Sequence, residues 1–190
     1  MNTIAIPAWN TNGVLPPVDP HLPTSPVRSP YPVSLKDLVM RFSTSSERRS
    51  VIKSFLGYRK ELHRIGLSEG FQWIDGSFLE DVETIEQRAP RDIDVVSFFN
   101  TPASLNISDD DAYLFDHDIL KKRINIDAYY VELDQITPRM LTHWSAYWYG
   151  LWSHRRTQVW KGFLQIELTP VEDADALAWL TQFERTEGEP

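Results

Sequence analysis

The distribution of proline constrains this chain more than any other feature. Eight of its thirteen prolines lie at or before Pro32. Proline removes a backbone donor and pushes the residue before it out of helical geometry. Residues 1–33 therefore read as an extended, irregular arm. Residues 34–190 read as one domain, long enough to bury a hydrophobic core. The arm also carries Trp9, Val14, Leu15 and Leu22, more apolar anchors than a solvated tail holds, so it is expected to pack over the domain or onto a partner.

Beyond the arm the signals are regular. Ser34-Leu35-Lys36-Asp37 and Thr44-Ser45-Ser46-Glu47 each place an acid three residues after a hydroxyl, the pattern of a capping box. After the second, Val51, Ile52, Phe55, Leu56, Leu62 and Ile65 recur at helical spacing as far as Gly66, a natural stop. Residues 71–74, 92–98, 124–131 and 159–168 read as strands. Ser108-Asp109-Asp110-Asp111 is expected to cap a helix that ends in Lys121-Lys122-Arg123, acids first and bases last as the helix dipole prefers. Thr137-Pro138 opens a helix with Trp144, Trp148 and Trp152 on one stripe, read as core packing or as a partner surface. A last helix covers residues 171–183. Helices followed by strands alternating with helices predict an α+β fold, a small mixed β-sheet flanked by helices.

Composition excludes several chemistries. Cysteine is absent, which removes disulfides, cysteine-ligated zinc, iron–sulfur clusters and thiol nucleophiles. A net charge of −8 argues against nonspecific coating of nucleic acid, which needs a basic face. No apolar run approaches the roughly 20 residues of a membrane span, and the opening residues lack the features of a signal peptide. The expected location is the cytoplasm, without a membrane partner.

With 27 acidic residues in the chain, Asp-x-Asp pairs arise by chance. Asp109/Asp111, Asp116/Asp118 and Asp173/Asp175 sit in polar or helical settings and read as caps or solvated faces. Asp92/Asp94 differs, because Ile93, Val95, Val96 and Phe98 surround it. Alternation along a strand points both aspartates the same way. Two such carboxylates repel each other and resist burial; a divalent cation with a taste for oxygen, Mg²⁺ or Mn²⁺, resolves the conflict. Asp127, between Ile126 and Ala128, offers a third acid on a further strand. Gly76-Ser77 supplies a glycine that lets backbone approach a phosphate, together with a hydroxyl and amides at a following helix start. Lys161, beside His154-Arg155-Arg156, is open to two readings, reach toward a phosphate or ordinary surface charge. Lys121-Lys122-Arg123 is read as a helix end. Arg59/His63 and Arg139/His143 are spaced too closely for the motif of a helical ribonuclease.

Ile74-Asp75-Gly76-Ser77-Phe78 followed by Pro90-Arg91-Asp92-Ile93-Asp94-Val95-Val96 resembles the signature of the polymerase-beta-type nucleotidyltransferase superfamily. The nearest likeness is to small bacterial (minimal) nucleotidyltransferase-like proteins. These also carry an opening like Ile6-Pro7 and Asn12-Gly13-Val14-Leu15-Pro16, and a late Lys-Gly strand, here Lys161-Gly162. Two departures are the long gap from Ser77 to Asp92 and Asp75, which stands where an apolar residue is usual. The resemblance implies a nucleotidyltransferase fold over residues 34–190 with its core at 69–132. It also implies a two-metal phosphoryl transfer. Asp92 and Asp94 would hold Mg²⁺ (or Mn²⁺) on the triphosphate, and Asp127 would ligate the second metal and help deprotonate the attacking hydroxyl. Gly76, Ser77 and Lys161 would bind the nucleotide. The implied reaction moves a nucleoside monophosphate from a nucleoside triphosphate such as ATP to a hydroxyl on protein or RNA. Its setting would be a toxin–antitoxin or phage-defence module with a partner protein from a neighbouring gene. The alternative is a non-catalytic subunit of the same fold that binds and regulates a partner protein through the arm and the tryptophan stripe.

Overall fold

Serine hydroxyls start the first two helices. In the computed structural model, which describes residues 3–103, 105 and 107–188, Ser34 accepts a hydrogen bond from the Asp37 amide and opens α1 (Leu35–Phe42). Ser45 accepts from the Arg48 amide and opens α2 (Ser46–Arg64). The second cap is thus one residue beyond Thr44, because Ser45 is the extended residue whose hydroxyl reaches an amide three positions on. At the far end Gly66 takes a positive φ of 99°. Its amide bonds to His63 and that of Leu67 to Leu62, which closes α2 as the glycine predicts.

Five strands form one mixed sheet: β1 (Tyr31–Pro32), β2 (Gly70–Asp75), β3 (Ile93–Phe99), β4 (Ile126–Glu132) and β5 (Leu164–Glu167), in the order β1-β5-β2-β3-β4. β2 runs antiparallel to both β3 and β5, while β3–β4 and β1–β5 are parallel. The remaining helices are α3 (Val82–Ile85), α4 (His117–Ile124), α5 (Pro138–Trp152) and α6 (Val171–Gly188). The fold is α+β, a small mixed sheet flanked by helices, as expected.

Three elements differ from the sequence reading. β1 lies within the arm: Tyr31 and Val33 donate to the Phe163 and Gln165 carbonyls. Pro32, with no donor, is tolerated because β1 is an edge. The helix expected after Ser108 is two pieces, a 3₁₀ segment over Asp109–Phe115 and then α4. The break is at Asp116, whose side chain leaves the helical pattern to cap α4 through the Ile119 amide. Of the strand expected over 159–168 only Leu164–Glu167 joins the sheet. The preceding residues turn back as a hairpin in which His154 bridges Trp160 and Gln158 has a φ of 66°.

The two sheet faces are covered differently. On one, Arg59 donates to Gln72, which donates to Ser97, and Tyr130 meets Tyr58, so α2 lies here. α6 is tied to this layer by the buried Arg59 guanidinium, which donates to Asp173 Oδ1 at 2.7 Å, to Gln72 at 2.6 Å and to the Glu167 and Thr169 carbonyls. A buried cation satisfied on every side is tolerated where an unpaired one is not. Asp173 also meets His63 at 3.0 Å, which gives that histidine a packing role. On the other face α5 lays Trp148 and Trp152 against Tyr129 and Phe163. Both tryptophans are buried and Trp144 half so, while Met140 and Leu151 of the same helix are exposed.

The arm packs over the domain. Val14 and Leu15 are buried, the Trp9 indole donates to the Leu79 carbonyl at 2.7 Å, and the Asp81 and Gly162 amides donate to Gly13 and Leu15. Leu22 is 62% exposed and anchors nothing. Among the described residues no helix is long and apolar enough to cross a membrane.

Candidate active site

The α5 side of the sheet carries a row of carboxylates. Asp75 lies opposite Asp94 in the antiparallel pairing of β2 and β3, and Asp94 lies opposite Asp127 in the parallel pairing of β3 and β4. Cross-strand partners share a face, so the row crosses three strands. Asp92, two residues before Asp94, joins it by alternation. One oxygen each from Asp92, Asp94 and Asp127 lies within 4.8 Å of the others. The three acids singled out in the sequence are thus brought together. Burial, then the charges of Asp75, Asp127 and Asp92, push the Asp94 carboxyl up to about 7.

Asp75 has a dedicated counter-ion. Lys161 Nζ is 2.9 Å from Asp75 Oδ2 and 3.0 Å from Glu80 Oε1, and Arg155 Nη2 is 2.6 Å from the other Glu80 oxygen. Lys161 is only 6% exposed, which corrects the surface-charge reading. Burial opposes its charge, but Asp75 and Glu80 outweigh that and hold its pKa above the ordinary value. Burial likewise pushes the Asp75 carboxyl up to about 6 despite Lys161. Asp75 Oδ1 is buried without a hydrogen-bond partner.

Gly76 and Ser77 sit beside the row. Gly76 has φ 90° and ψ −178°, a region essentially closed to residues with a side chain. Ser77 begins one 3₁₀ turn, Ser77–Leu79, in place of the expected helix, so no helix dipole adds to the glycine's accessible backbone. This turn is clamped from behind. Arg48 of α2, fully buried, donates to the Phe78 carbonyl at 2.6 Å, to the Glu80 carbonyl, and to Glu83 at 2.6 and 2.7 Å. The Trp9 bond to Leu79 completes the clamp. Sequence reasoning missed Arg48, whose only signal was a charged residue within the apolar spacing of α2.

Two α4 residues enter the acid cluster. Asn125 turns left-handed at φ 58° between α4 and β4, which folds Asp127 back beneath the last turns of the helix. Lys121 Nζ lies 2.5 Å from Asp127 Oδ2 and 3.6 Å from Asp92 Oδ2. The bond to Asp127 raises the Lys121 pKa. The helix-end reading of Lys121 was therefore incomplete, whereas Lys122 and Arg123 are exposed, as that reading requires. His117 Nδ1 is 2.9 Å from Asp127 Oδ1, but out of line for a hydrogen bond, so this oxygen is buried without a donor.

A cavity of about 560 Å³ opens beside the cluster. Asp75, Asp94 and Asp127 line it together with Arg88, Arg155, Arg156 and Lys161, beside Gly76 and Ser77; Glu86 and Glu80, also in the lining, pair with Arg88 and with Arg155 and Lys161 respectively. Three hard oxygen donors suit Mg²⁺ or Mn²⁺, and Asp127 Oδ1, buried without a hydrogen-bond donor, fits a ligand for such a cation. Arginines in the same cavity as a cation site suit a polyanion that carries its own metal.

Residues 7–167 match the family described as "Family of unknown function (DUF6932)", and the chain belongs to that family. No curated protein and no solved structure matches it.

Proposed function

We propose that this chain is a metal-dependent nucleotidyltransferase, moving a nucleoside monophosphate from a nucleoside triphosphate to a hydroxyl on a protein or RNA. The observation that carries this reading is the meeting of Asp92, Asp94 and Asp127 within 4.8 Å, with Asp94 and Asp127 lining a cavity that also holds Arg88, Arg155, Arg156 and Lys161. The topology supports it as well: a Gly-Ser turn after one strand, an Asp-x-Asp strand antiparallel to it, and a third aspartate on the next parallel strand. That is the order the resemblance to the nucleotidyltransferase superfamily implies.

In the reaction, the acceptor oxygen forms a bond to the α-phosphorus, the bond from that phosphorus to the bridging oxygen breaks, and pyrophosphate leaves. The Asp127 carboxylate helps to take up the hydroxyl proton. Arg88 and Arg156 face the phosphates, and the Ser77 hydroxyl steadies them beside Gly76. Lys161, fixed between Asp75 and Glu80, offsets their negative charge beside the phosphates. A Mg²⁺ or Mn²⁺ held by Asp92, Asp94 and Asp127 supplies the charge that offsets the developing anion. Following the same resemblance, the acceptor belongs to a partner in a toxin–antitoxin or antiviral defence module. The test is incubation with each α-labelled nucleoside triphosphate and Mg²⁺, alone and with co-purified partner. Label transfer lost in Asp92→Ala/Asp94→Ala supports the reading; no transfer with any nucleotide overturns it.

A second reading, a non-catalytic subunit that binds a partner protein, is favoured by the exposed apolar side chains Met140, Leu141, Tyr147 and Leu151 along α5. It predicts partner binding that survives Asp92→Ala/Asp94→Ala, without label transfer.

A further inference from the structure

We infer that Lys121 permanently fills one of the two cation positions in the aspartate cluster, so that the site takes a single divalent cation. This rests on the reading of Asp92, Asp94 and Asp127 as a metal site and refines it. The Lys121 ammonium lies 2.5 Å from Asp127 Oδ2 and 3.6 Å from Asp92 Oδ2. It sits between the two carboxylates that a cation on the Asp127 side must share. An ammonium ion has no lone pair to offer a metal. A second cation bound to the same Asp127 oxygen, about 2.1 Å away in the case of Mg²⁺, would meet the ammonium in both volume and charge.

The placement is built into the fold. Asn125, in the left-handed conformation that its side chain tolerates, reverses the chain between α4 and β4. Lys121 and Asp127, six residues apart, thereby face each other across that reversal. His117, one helical turn before Lys121 on the same face of α4, lies against the other Asp127 oxygen. Asp127 is thus held from α4 by the Lys121 bond at Oδ2, with His117 beside Oδ1 and not bonded to it. Asp94, in contrast, has no ion pair among the described residues, and it lines the cavity.

Lys121 then provides on the acceptor side the positive charge that a second metal would bring, and the one exchangeable cation binds the cluster with or without a triphosphate.

The experiment is a Mn²⁺ titration of the full chain without nucleotide, with bound ion counted at saturation by electron paramagnetic resonance, for wild type, Lys121→Met and Lys121→Arg. The expected result is one ion per chain for wild type and for Lys121→Arg, which keeps a cation there, and two for Lys121→Met. Methionine keeps length and helix propensity at a position 45% exposed, so the variant is expected to fold, and circular dichroism checks this. Two ions in wild type overturn the inference, because the lysine then yields to metal. One ion in Lys121→Met overturns it too, because the lysine then holds no position. Absence of Mn²⁺ from all three proteins, a distinct outcome, overturns the metal-site reading and the inference with it.

Discussion

Gly76 is in contact with Asp94 across β2 and β3: a β-carbon on Gly76 would lie 2.9 Å from Asp94 Oδ2 and 3.0 Å from its Cγ. The glycine therefore does two things. It adopts φ 90°, and it leaves room for the central carboxylate of the cluster. Gly76→Ala is expected to cost about 1–3 kcal/mol from the backbone alone, measured by urea denaturation. It also displaces Asp94, so Mn²⁺ affinity is expected to fall at least about tenfold, equivalent to roughly 1.4 kcal/mol. Unchanged Mn²⁺ affinity would separate Asp94 from the metal site.

The raised pKa of Asp94 makes metal-free stability depend on pH in a definite direction. Its folded value is about 7 against an ordinary 3.8, so between these values the folded chain holds a proton that the unfolded chain has lost. Stability from this group falls as pH rises through that window and levels off above it. Asp94→Asn cannot titrate. In EDTA, the stability of wild type relative to Asp94→Asn should decline from about pH 4 to about pH 7, by at most about 1.4 kcal/mol per pH unit. Saturating Mg²⁺ should reverse the trend, because the cation binds the ionised form. The urea midpoints of the two proteins across this range provide the check; a flat difference contradicts it.

Lys161 holds two buried carboxylates. Lys161→Met leaves Asp75 without a cation and Glu80 with Arg155 alone. Removing one partner from a buried ion pair costs about 3–5 kcal/mol. Lys161→Met/Asp75→Asn, which removes the stranded charge as well, should recover part of that loss. Denaturation of the four proteins of this double-mutant cycle gives the coupling. Additive effects would mean that Lys161 is held by packing rather than by Asp75.

Much of the sheet was legible because its signals are local. The alternation of Ile93, Val95, Asp92 and Asp94 fixes which side chains share a face, and the same logic carried Asp127. The strand boundaries missed by the sequence reflect tertiary choices. Tyr31-Pro32 pairs only because β5 offers its edge carbonyls at Phe163 and Gln165, and nothing near Tyr31 announces that. Asp116 reads equally well as a helical residue or a cap, and the folded chain uses it as a cap. The counter-ions were least legible. Lys161 and Glu80 are 81 residues apart, and Lys121 reaches Asp127 only through the reversal at Asn125. A lysine at a helix end looks the same in sequence whether it faces solvent or a carboxylate. Arg48 likewise clamps the Gly76 turn from another element, by contacts with carbonyls that carry no sequence identity.

The most direct test is equilibrium binding of a nucleoside triphosphate, with and without Mn²⁺, to wild type and to Asp92→Ala/Asp94→Ala. Tight binding of at least one of the four nucleotides by wild type is expected, dependent on Mn²⁺ and abolished in the double variant. Binding that is indifferent to Mn²⁺ and to both substitutions, or no binding of any nucleotide, would contradict a nucleotidyl-transfer site at Asp92, Asp94 and Asp127.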